Sequence, residues 1–243
     1  MASFWLNSRS SSDSRLRLFC LPYAGTGASR YFRWTSLLPA TIEICPILLP
    51  GREGRIGEQP LTDMNTMLNA LVRELEPERE RPFALFGHSM GALIGFELAR
   101  RLRQEFEVNP VRLFVSAHRA PHLPRSQPAL HQLPDDQLRE RLRQLQDGPE
   151  EMMQNDEYMQ LMLPTLRADL QLCETYVHTS EPPLGCAISA LGGIGDWRLS
   201  KSDLMAWDKH TSGAFTLRMF PGGHLFLNDC EADVTRSIVE DLS

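Results

Sequence analysis

One serine of this 243-residue chain lies in a Gly-x-Ser-x-Gly pattern, at Gly87-His88-Ser89-Met90-Gly91. A short apolar run, residues 82–86, comes directly before it, and a helical period over residues 91–104 comes directly after it. Between a strand and a helix, this pattern typically forms a sharp turn that presents the serine hydroxyl at the carboxyl end of a sheet. The alternative is a tight βα turn whose serine only caps the helix, and the flanking elements weaken that interpretation. We therefore predict that Ser89 is a nucleophile.

A serine hydroxyl is a poor nucleophile at neutral pH, so it needs a base within hydrogen-bond reach. His224 is the best placed of the seven histidines, because it follows the apolar run 215–220 in the turn Phe220-Pro221-Gly222-Gly223-His224. His88 is tied to the turn around the serine, and His118 follows a strand but precedes a predicted insertion. The remaining four histidines are predicted to lie on the surface; they are His122, His131, His178 and His210.

The acid that orients the histidine is expected between serine and histidine, the chain order of hydrolases built on an α/β sheet. Asp196 follows the apolar run 186–191 and a glycine-rich turn, so it lies at the carboxyl end of a predicted strand. Asp203 lies near Ser202, a candidate helix cap, and Asp208 resembles an exposed helical residue. We therefore predict Asp196 as the acid; the alternative is that it only forms the turn after the glycines.

Two backbone N–H groups would stabilise the oxyanion that forms when a serine attacks a carbonyl. One is the N–H of Met90, and the other comes from the loop after the first strand, with Tyr23 as first choice and Ala24 as second. Gly25 and Gly27 in this loop also suggest a phosphate site. The loop lacks the third glycine of a dinucleotide fingerprint and a Walker lysine, so we discard that site and predict no cofactor.

Short apolar runs alternate with amphipathic periods along the chain. The runs predicted as buried strands are residues 16–21, 42–49, 82–86, 111–117, 186–191 and 215–220. The periods predicted as helices are residues 62–75 with a Thr62 cap, 91–104, 135–145, 152–176 and 231–242. This alternation predicts an α/β fold with a mostly parallel sheet, helices on both faces and one domain over residues 1–243. Residues 120–183 contain no convincing strand and are predicted to form a helical insertion over the sheet.

Composition excludes several classes of protein. Hydrophobic residues make up 42% and charged residues 23% of the chain, as in soluble globular domains. The net charge of -6 argues against nucleic acid or an anionic membrane as a partner. The five cysteines are scattered without a Cys-x-x-Cys pair, so neither a disulfide framework nor a metal site is predicted. Because no signal peptide or membrane-spanning run is present, we predict a cytoplasmic protein. A monomer is the simplest expectation for its oligomeric state.

Further motifs accompany the serine pattern in a consistent order. They are Leu21-Pro22-Tyr23-Ala24-Gly25, Pro50-Gly51-Arg52-Glu53-Gly54-Arg55, Phe86-Gly87-His88-Ser89-Met90-Gly91, Leu163-Pro164-Thr165-Leu166-Arg167-Ala168-Asp169, Trp207-Asp208-Lys209-His210-Thr211 and Phe220-Pro221-Gly222-Gly223-His224. Together, from about residue 18 to residue 242, they resemble the stand-alone type II thioesterases that serve polyketide and nonribosomal peptide synthetases. A chain that begins so close to its first predicted strand favours a free-standing enzyme over a terminal domain.

This resemblance implies an α/β-hydrolase fold, a helical lid over the active site and a triad at Ser89, His224 and Asp196. It implies hydrolysis of acyl groups from the phosphopantetheine arm of acyl or peptidyl carrier proteins, in editing or release of misprimed or stalled chains. Two residues depart from the family pattern: Trp197 follows the acid where proline is common, and Leu225 follows the histidine where phenylalanine is common.

Two other functions remain open. A carboxylesterase or lipase would use the same triad on oxygen esters, and a non-catalytic binding module would keep only the fold.

Three assignments in the insertion also stay open. The first concerns an apolar set that would either line an acyl channel or pack as core: Met152, Met153, Met159, Met162 and Leu163. The second concerns Arg167 and Asp169, which would either form an anchoring salt bridge or be surface charges. The third concerns the arginines of residues 139–143, which would either dock a carrier or face solvent.

Overall fold

The computed structural model contains one parallel sheet. The structure describes residues 14–75, 81–125, 128–145 and 155–243. Its six strands lie in the order β2-β1-β3-β4-β5-β6, and every neighbouring pair is parallel. The strands are β1 Leu16–Leu21, β2 Ile42–Pro46, β3 Phe83–His88, β4 Arg112–Ser116, β5 Ala187–Gly193 and β6 Phe215–Phe220. The predicted α/β class and parallel sheet are confirmed.

Helices cover both faces of the sheet, because successive side chains of a strand point to opposite faces. The α-helices of the described residues are α1 Met64–Leu75, α2 Met90–Phe106, α3 Asp135–Leu145, α4 Asp156–Glu174, α5 Lys201–Met205 and α6 Glu231–Leu242. Phe19 and Leu21 of β1 belong to the hydrophobic cluster that includes α1 and α2. Leu18 and Cys20 belong to a second cluster, which includes α6.

Three strand ends differ from the prediction by two or more residues, and one of them is the end of β5, which continues to Gly193 rather than ending at residue 191. The second strand ends at Pro46 rather than at residue 49, because the chain then leaves the sheet toward a turn at Gly51, whose φ is +82°. The third strand continues to His88 rather than ending at residue 86, since Gly87 and His88 still pair with β4. The predicted Thr62 cap is also wrong: α1 begins at Met64, and the side chain of Asp63 accepts the N–H of Thr66 at 2.8 Å.

The segment between β4 and β5 contains α3 and α4, which pack on each other through a small cluster of Leu138, Leu142, Met159 and Leu163. Met159 is therefore a core residue of the insertion rather than part of an open channel. Residues 152–154, with which the fourth predicted helix begins, lie outside the described residues. None of the helices in the described ranges combines the length and apolar character that a membrane crossing requires.

Three histidines predicted to lie on the surface instead contact one another: His122 near the start of the insertion, His178 near its end, and His210 in the 3₁₀ helix after α5. His122 and His210 share a hydrogen bond of 2.7 Å between Nδ1 and Nε2, and the ring of His178 lies 5.4 Å from that of His210 between centroids. The His210 ring also packs edge-on against Phe96 and Trp207. The sequence gives no sign of this cluster, because its members come from three separate segments.

Burial and mutual proximity lower the pKa of all three histidines. Burial, followed by the neighbouring His122 and His178, lowers the pKa of His210 to about 4. The pKa of the other two is also lowered, chiefly by burial, with Lys209 acting on His122 and Arg100 acting on His178. Glu97 and Glu181 oppose this effect at His178 only.

We expect the protein to lose stability as pH falls from about 7 to about 5, because the unfolded chain binds protons near the ordinary histidine pKa while the folded cluster does not. His210→Gln should reduce this pH dependence, since it removes one of the groups whose pKa is lowered. Urea unfolding at both pH values measures the difference. An equal loss of unfolding free energy in wild type and variant would contradict a role for the cluster.

Candidate active site

Ser89 lies at the turn between β3 and α2, in a strained backbone conformation. Its φ of 52° and ψ of -115° are rare for a residue with a side chain, and such strain persists only where the surroundings enforce it. The N–H of Ser89 donates to the carbonyl of Ser116, at the end of the adjacent strand β4, at 2.7 Å. This is the sharp turn that the sequence predicted, with the serine half-buried at the carboxyl edge of the sheet.

Both glycines of the motif are required by close backbone packing. A Cβ atom on Gly87 would lie 2.0 Å from the carbonyl oxygen of Gly91, and one on Gly91 would lie 2.3 Å from that of Leu21. Because the opposing atoms are backbone, they cannot move aside as a flexible side chain would. The turn therefore brings strand, helix and the loop after β1 into direct contact.

His224 connects Ser89 to Asp196. Its Nε2 lies 3.0 Å from Ser89 Oγ, and its Nδ1 lies 2.8 Å from Asp196 Oδ2. The Asp196 side chain is 1% exposed and the His224 side chain is 12% exposed, so the acid is shielded while the imidazole is partly accessible. The structure thus brings together the three residues that the sequence singled out, from the ends of three strands.

The loops that carry Asp196 and His224 are held against each other by backbone contacts. Gly195 N–H donates to the carbonyl of Gly222 at 2.8 Å, and Gly193 approaches Gly223 so closely that a Cβ atom would lie 2.2 Å from its oxygen. The second carboxylate oxygen of Asp196 accepts the backbone N–H of Arg198 at 3.0 Å. The acid is therefore fixed on both oxygens.

The two rival acids have other roles. Asp203 belongs to a capping box with Ser200 at the start of α5, so the cap is Ser200 and the predicted Ser202 cap is wrong. Asp208 is exposed in the short 3₁₀ helix Ala206–His210.

His88 holds the backbone of His224 through a hydrogen bond. It is fully buried, its Nδ1 lies 2.8 Å from Ser116 Oγ, and its Nε2 lies 3.0 Å from the backbone carbonyl of His224. A carbonyl only accepts, so Nε2 carries the proton and Nδ1 accepts from the serine hydroxyl. Burial, and then the nearby His224, hold the pKa of His88 well below its ordinary value, so the ring is neutral.

The two predicted oxyanion donors lie on adjacent backbone segments. Met90 is the first residue of α2, where N–H groups have no partner within the helix. The next residue, Gly91, packs against the carbonyl oxygens of Leu21 and Pro22, directly before Tyr23. The Tyr23 ring in turn lies edge-on to His88, with centroids 5.3 Å apart.

A buried ion pair fixes the loop that carries Tyr23. Asp169 of α4 accepts two hydrogen bonds from the guanidinium of Arg52, at 2.8 and 2.9 Å, and both side chains are almost completely buried. The same carboxylate accepts the N–H of Gly25 at 2.8 Å, and Arg52 donates to the carbonyl of Thr26. The insertion is thereby anchored to the loop after β1.

Sequence reasoning named both motifs of this ion pair but did not join them. Of the two alternatives for Asp169, the anchoring one is correct, but its partner is Arg52 rather than Arg167. Arg167 instead pairs with the exposed carboxylate of Asp135 at 2.6 Å. The sequence signal that could have revealed the pair is the occurrence of an arginine and an aspartate in two motifs to which sequence reasoning gave no other role. Within the described ranges, no group of three or more histidine, cysteine or acidic side chains has a geometry that could hold a metal ion.

Residues 16–243 match the family description of the thioesterase domain. The chain belongs to the thioesterase family. This thioesterase is 42% identical over 239 residues to the gramicidin S biosynthesis protein GrsT of Aneurinibacillus migulanus, which covers 98% of this chain and 93% of that protein. It is 38% identical to the thioesterase PikA5 of Streptomyces venezuelae, over 95% of this chain and 82% of that protein.

Solved structures agree with this membership. The type II thioesterase BorB from the borrelidin biosynthetic cluster superimposes with a TM-score of 0.92 at 35% identity, over 100% of this chain and 99% of BorB. The resemblance drawn from the sequence motifs is confirmed, and the fold of the thioesterase is that of the type II thioesterases.

Removal of one partner of the Arg52–Asp169 pair should leave a buried, uncompensated charge. We expect Asp169→Ala to lower the free energy of unfolding of the thioesterase by about 3–5 kcal/mol. The double variant Arg52→Met/Asp169→Leu should recover most of that loss, because it removes both charges and keeps apolar volume. Urea denaturation measures both values.

A matched control is Asp135→Asn, which removes the exposed partner of Arg167 in the same insertion. Exposed ion pairs contribute little, so the unfolding free energy should change by less than about 1 kcal/mol. A loss for Asp169→Ala no larger than for this control would contradict the anchoring role.

Proposed function

We propose that this thioesterase hydrolyses acyl groups from the phosphopantetheine arm of acyl or peptidyl carrier proteins, and thereby edits or releases misprimed or stalled chains. The observation that carries the proposal is the hydrogen-bonded series of Ser89, His224 and Asp196 in a member of the thioesterase family. The similar protein GrsT is named a gramicidin S biosynthesis protein, PikA5 is named a thioesterase, and BorB is named a type II thioesterase from the borrelidin biosynthetic cluster.

In the first half of the reaction, Ser89 Oγ attacks the thioester carbonyl while His224 Nε2 takes the hydroxyl proton. The carbonyl oxygen becomes an oxyanion, which the backbone N–H groups of Met90 and Tyr23 stabilise. The tetrahedral intermediate then expels the pantetheine thiol, which receives the proton from His224. The product is an acyl ester of Ser89 and a free carrier thiol.

In the second half, water attacks the acyl ester and gives its proton to His224. The same N–H groups stabilise the second oxyanion. Collapse of this intermediate releases the carboxylic acid and returns the proton to Ser89 Oγ. Asp196 remains ionised throughout, holds the proton-bearing Nδ1 of His224 and stabilises the imidazolium.

The helical insertion over residues 120–183 acts as the lid in this proposal. Its support is the contact of α4 with two loops at the carboxyl edge of the sheet: Asp169 accepts Gly25 N–H, and Thr165 Oγ1 donates to the carbonyl of Gly51 at 2.6 Å. Leu166 packs on Gly25, where a Cβ atom would lie 2.4 Å from its side chain. The loop that supplies the Tyr23 donor is thus braced from above by the insertion.

We expect Ser89→Ala to lower the rate of carrier deacylation by about 10⁶-fold, because the covalent route is lost. Asp196→Asn should lower it by about 10⁴-fold, since an amide cannot hold the required tautomer of His224 or stabilise its charge. The rate is measured by intact mass spectrometry of an acetyl-phosphopantetheinyl carrier protein. Asp208→Asn serves as the matched control, because Asp208 is an exposed aspartate in the same connection between β5 and β6. This variant should deacylate the carrier at the wild-type rate.

A second substrate and a covalent label decide between the alternatives. Cleavage of a p-nitrophenyl ester with no loss of acetyl from the carrier would replace the proposal with an oxygen esterase. Failure of both reactions, and of fluorophosphonate labelling at Ser89, would point to a binding module without turnover.

A further inference from the structure

The loop around Asp196 exposes two large apolar side chains. Ile194 is 70% exposed and Trp197 is 64% exposed, although both flank the buried acid. Exposed apolar surface is a mark of interaction sites, and tryptophan is among the residues enriched at binding hot spots. Trp197 also stands where the family pattern often has proline, and the proposed mechanism gives its side chain no role.

A groove of about 580 Å³ lies beside this tryptophan. Its walls come from the start of the insertion and from the loop after the acid, and they include Arg119, Leu123, Trp197, Arg198, Leu199 and Asp203. The guanidinium of Arg198 stacks over the Trp197 ring at 5.5 Å, and Arg119 donates to the carbonyl of Pro124. Two arginines against one aspartate give the groove a positive charge in a chain whose net charge is -6.

We propose that Ile194, Trp197, Arg198 and this groove, together the acid-loop surface, form the docking site of the carrier protein. The proposal rests on the proposed function above. The indole and the isoleucine side chain would pack on the carrier, and Arg119 and Arg198 would face the phosphodiester that joins the arm to it.

The acid-loop surface is continuous with the site of reaction. The backbone N–H of Arg198 donates to Asp196, and Asp196 binds His224, so the surface begins one residue from the triad. A phosphodiester is an anion, for which two guanidinium groups in the walls of one groove are suited partners. Both the charge and the position therefore match an arm that enters the site with its carrier still attached.

The arginines of α3 match less well. Arg139, Arg141 and Arg143 share that helix with Asp135, Asp136 and Glu140, so its charges cancel. Arg143 pairs with Asp156 at 3.0 Å, and Arg141 donates to Gln144. We therefore assign carrier docking to the acid-loop surface rather than to the arginines that sequence reasoning considered.

The test compares three acetyl thioesters that share the same scissile bond: acetyl-pantetheine, acetyl-phosphopantetheine and an acetyl-phosphopantetheinyl carrier protein. For Trp197→Ala, we expect kcat/KM on the carrier to fall by about 30-fold relative to acetyl-pantetheine, through KM. For Arg198→Glu, we expect kcat/KM to fall on both acetyl-phosphopantetheine and the acetyl-phosphopantetheinyl carrier, relative to acetyl-pantetheine. The acetyl-pantetheine rate of each variant is its internal reference for an intact triad.

Two matched controls carry the same kinds of change elsewhere. Val177→Ala truncates an exposed apolar side chain, and Arg141→Glu reverses a charge on α3. Both should keep the wild-type ratio of carrier to pantetheine activity. Wild-type ratios for Trp197→Ala and Arg198→Glu, or a larger fall for Arg141→Glu, would overturn the proposal.

A binding measurement separates docking from turnover. Calorimetric titration of Ser89→Ala protein with the holo carrier should show binding that Trp197→Ala weakens. If that result holds but wild-type protein does not deacylate the carrier, the docking surface stands and the proposed function fails. If acetyl-pantetheine is cleaved but the carrier neither binds nor reacts, the docking surface is overturned.

Discussion

The first turn of α2 packs directly on backbone atoms of the loop after β1, and the other parts of the site depend on that close approach. Gly91 meets the carbonyls of Leu21 and Pro22, and Gly87 meets the carbonyl of Gly91. Any side chain at either position would separate helix from strand. The contact forces Ser89 to a positive φ, which aims its hydroxyl at His224. It also sets the N–H of Met90 beside the segment that carries Tyr23.

The insertion participates in this arrangement rather than merely covering it. Asp169 links α4 to Arg52 and to the N–H of Gly25, so one carboxylate holds two loops that follow neighbouring strands. Buried charges are costly unless every partner is in place, and here both carboxylate oxygens and the guanidinium are bonded. A movement of α4 would therefore displace Gly25, two residues from Tyr23, the proposed oxyanion donor.

The sequence predicted the residues of the site better than the contacts that fix them. Ser89, Asp196 and His224 could be found because each follows an apolar run, and parallel strands end at one edge of a sheet. Arg52 and Asp169 are 117 residues apart in the chain, so no local pattern could pair them. The cluster of His122, His178 and His210 was missed for a similar reason: each lies in a polar segment, and only the packing of those segments buries it.

The two histidines beside the nucleophile must differ in protonation for the proposed chemistry to run. His224 gains a proton in each half of the reaction, whereas a second charge on His88, whose ring centroid lies 5.7 Å away, would oppose that gain. Burial lowers the pKa of His88 and prevents the second charge. The Ser116 hydroxyl donates to His88 Nδ1, and the Ser116 carbonyl accepts the N–H of Ser89, so Ser116 fixes the neutral tautomer of His88 in place. His88, the residue before Ser89, thus holds His224 by its backbone, so the His224 ring stays free for Asp196 and Ser89.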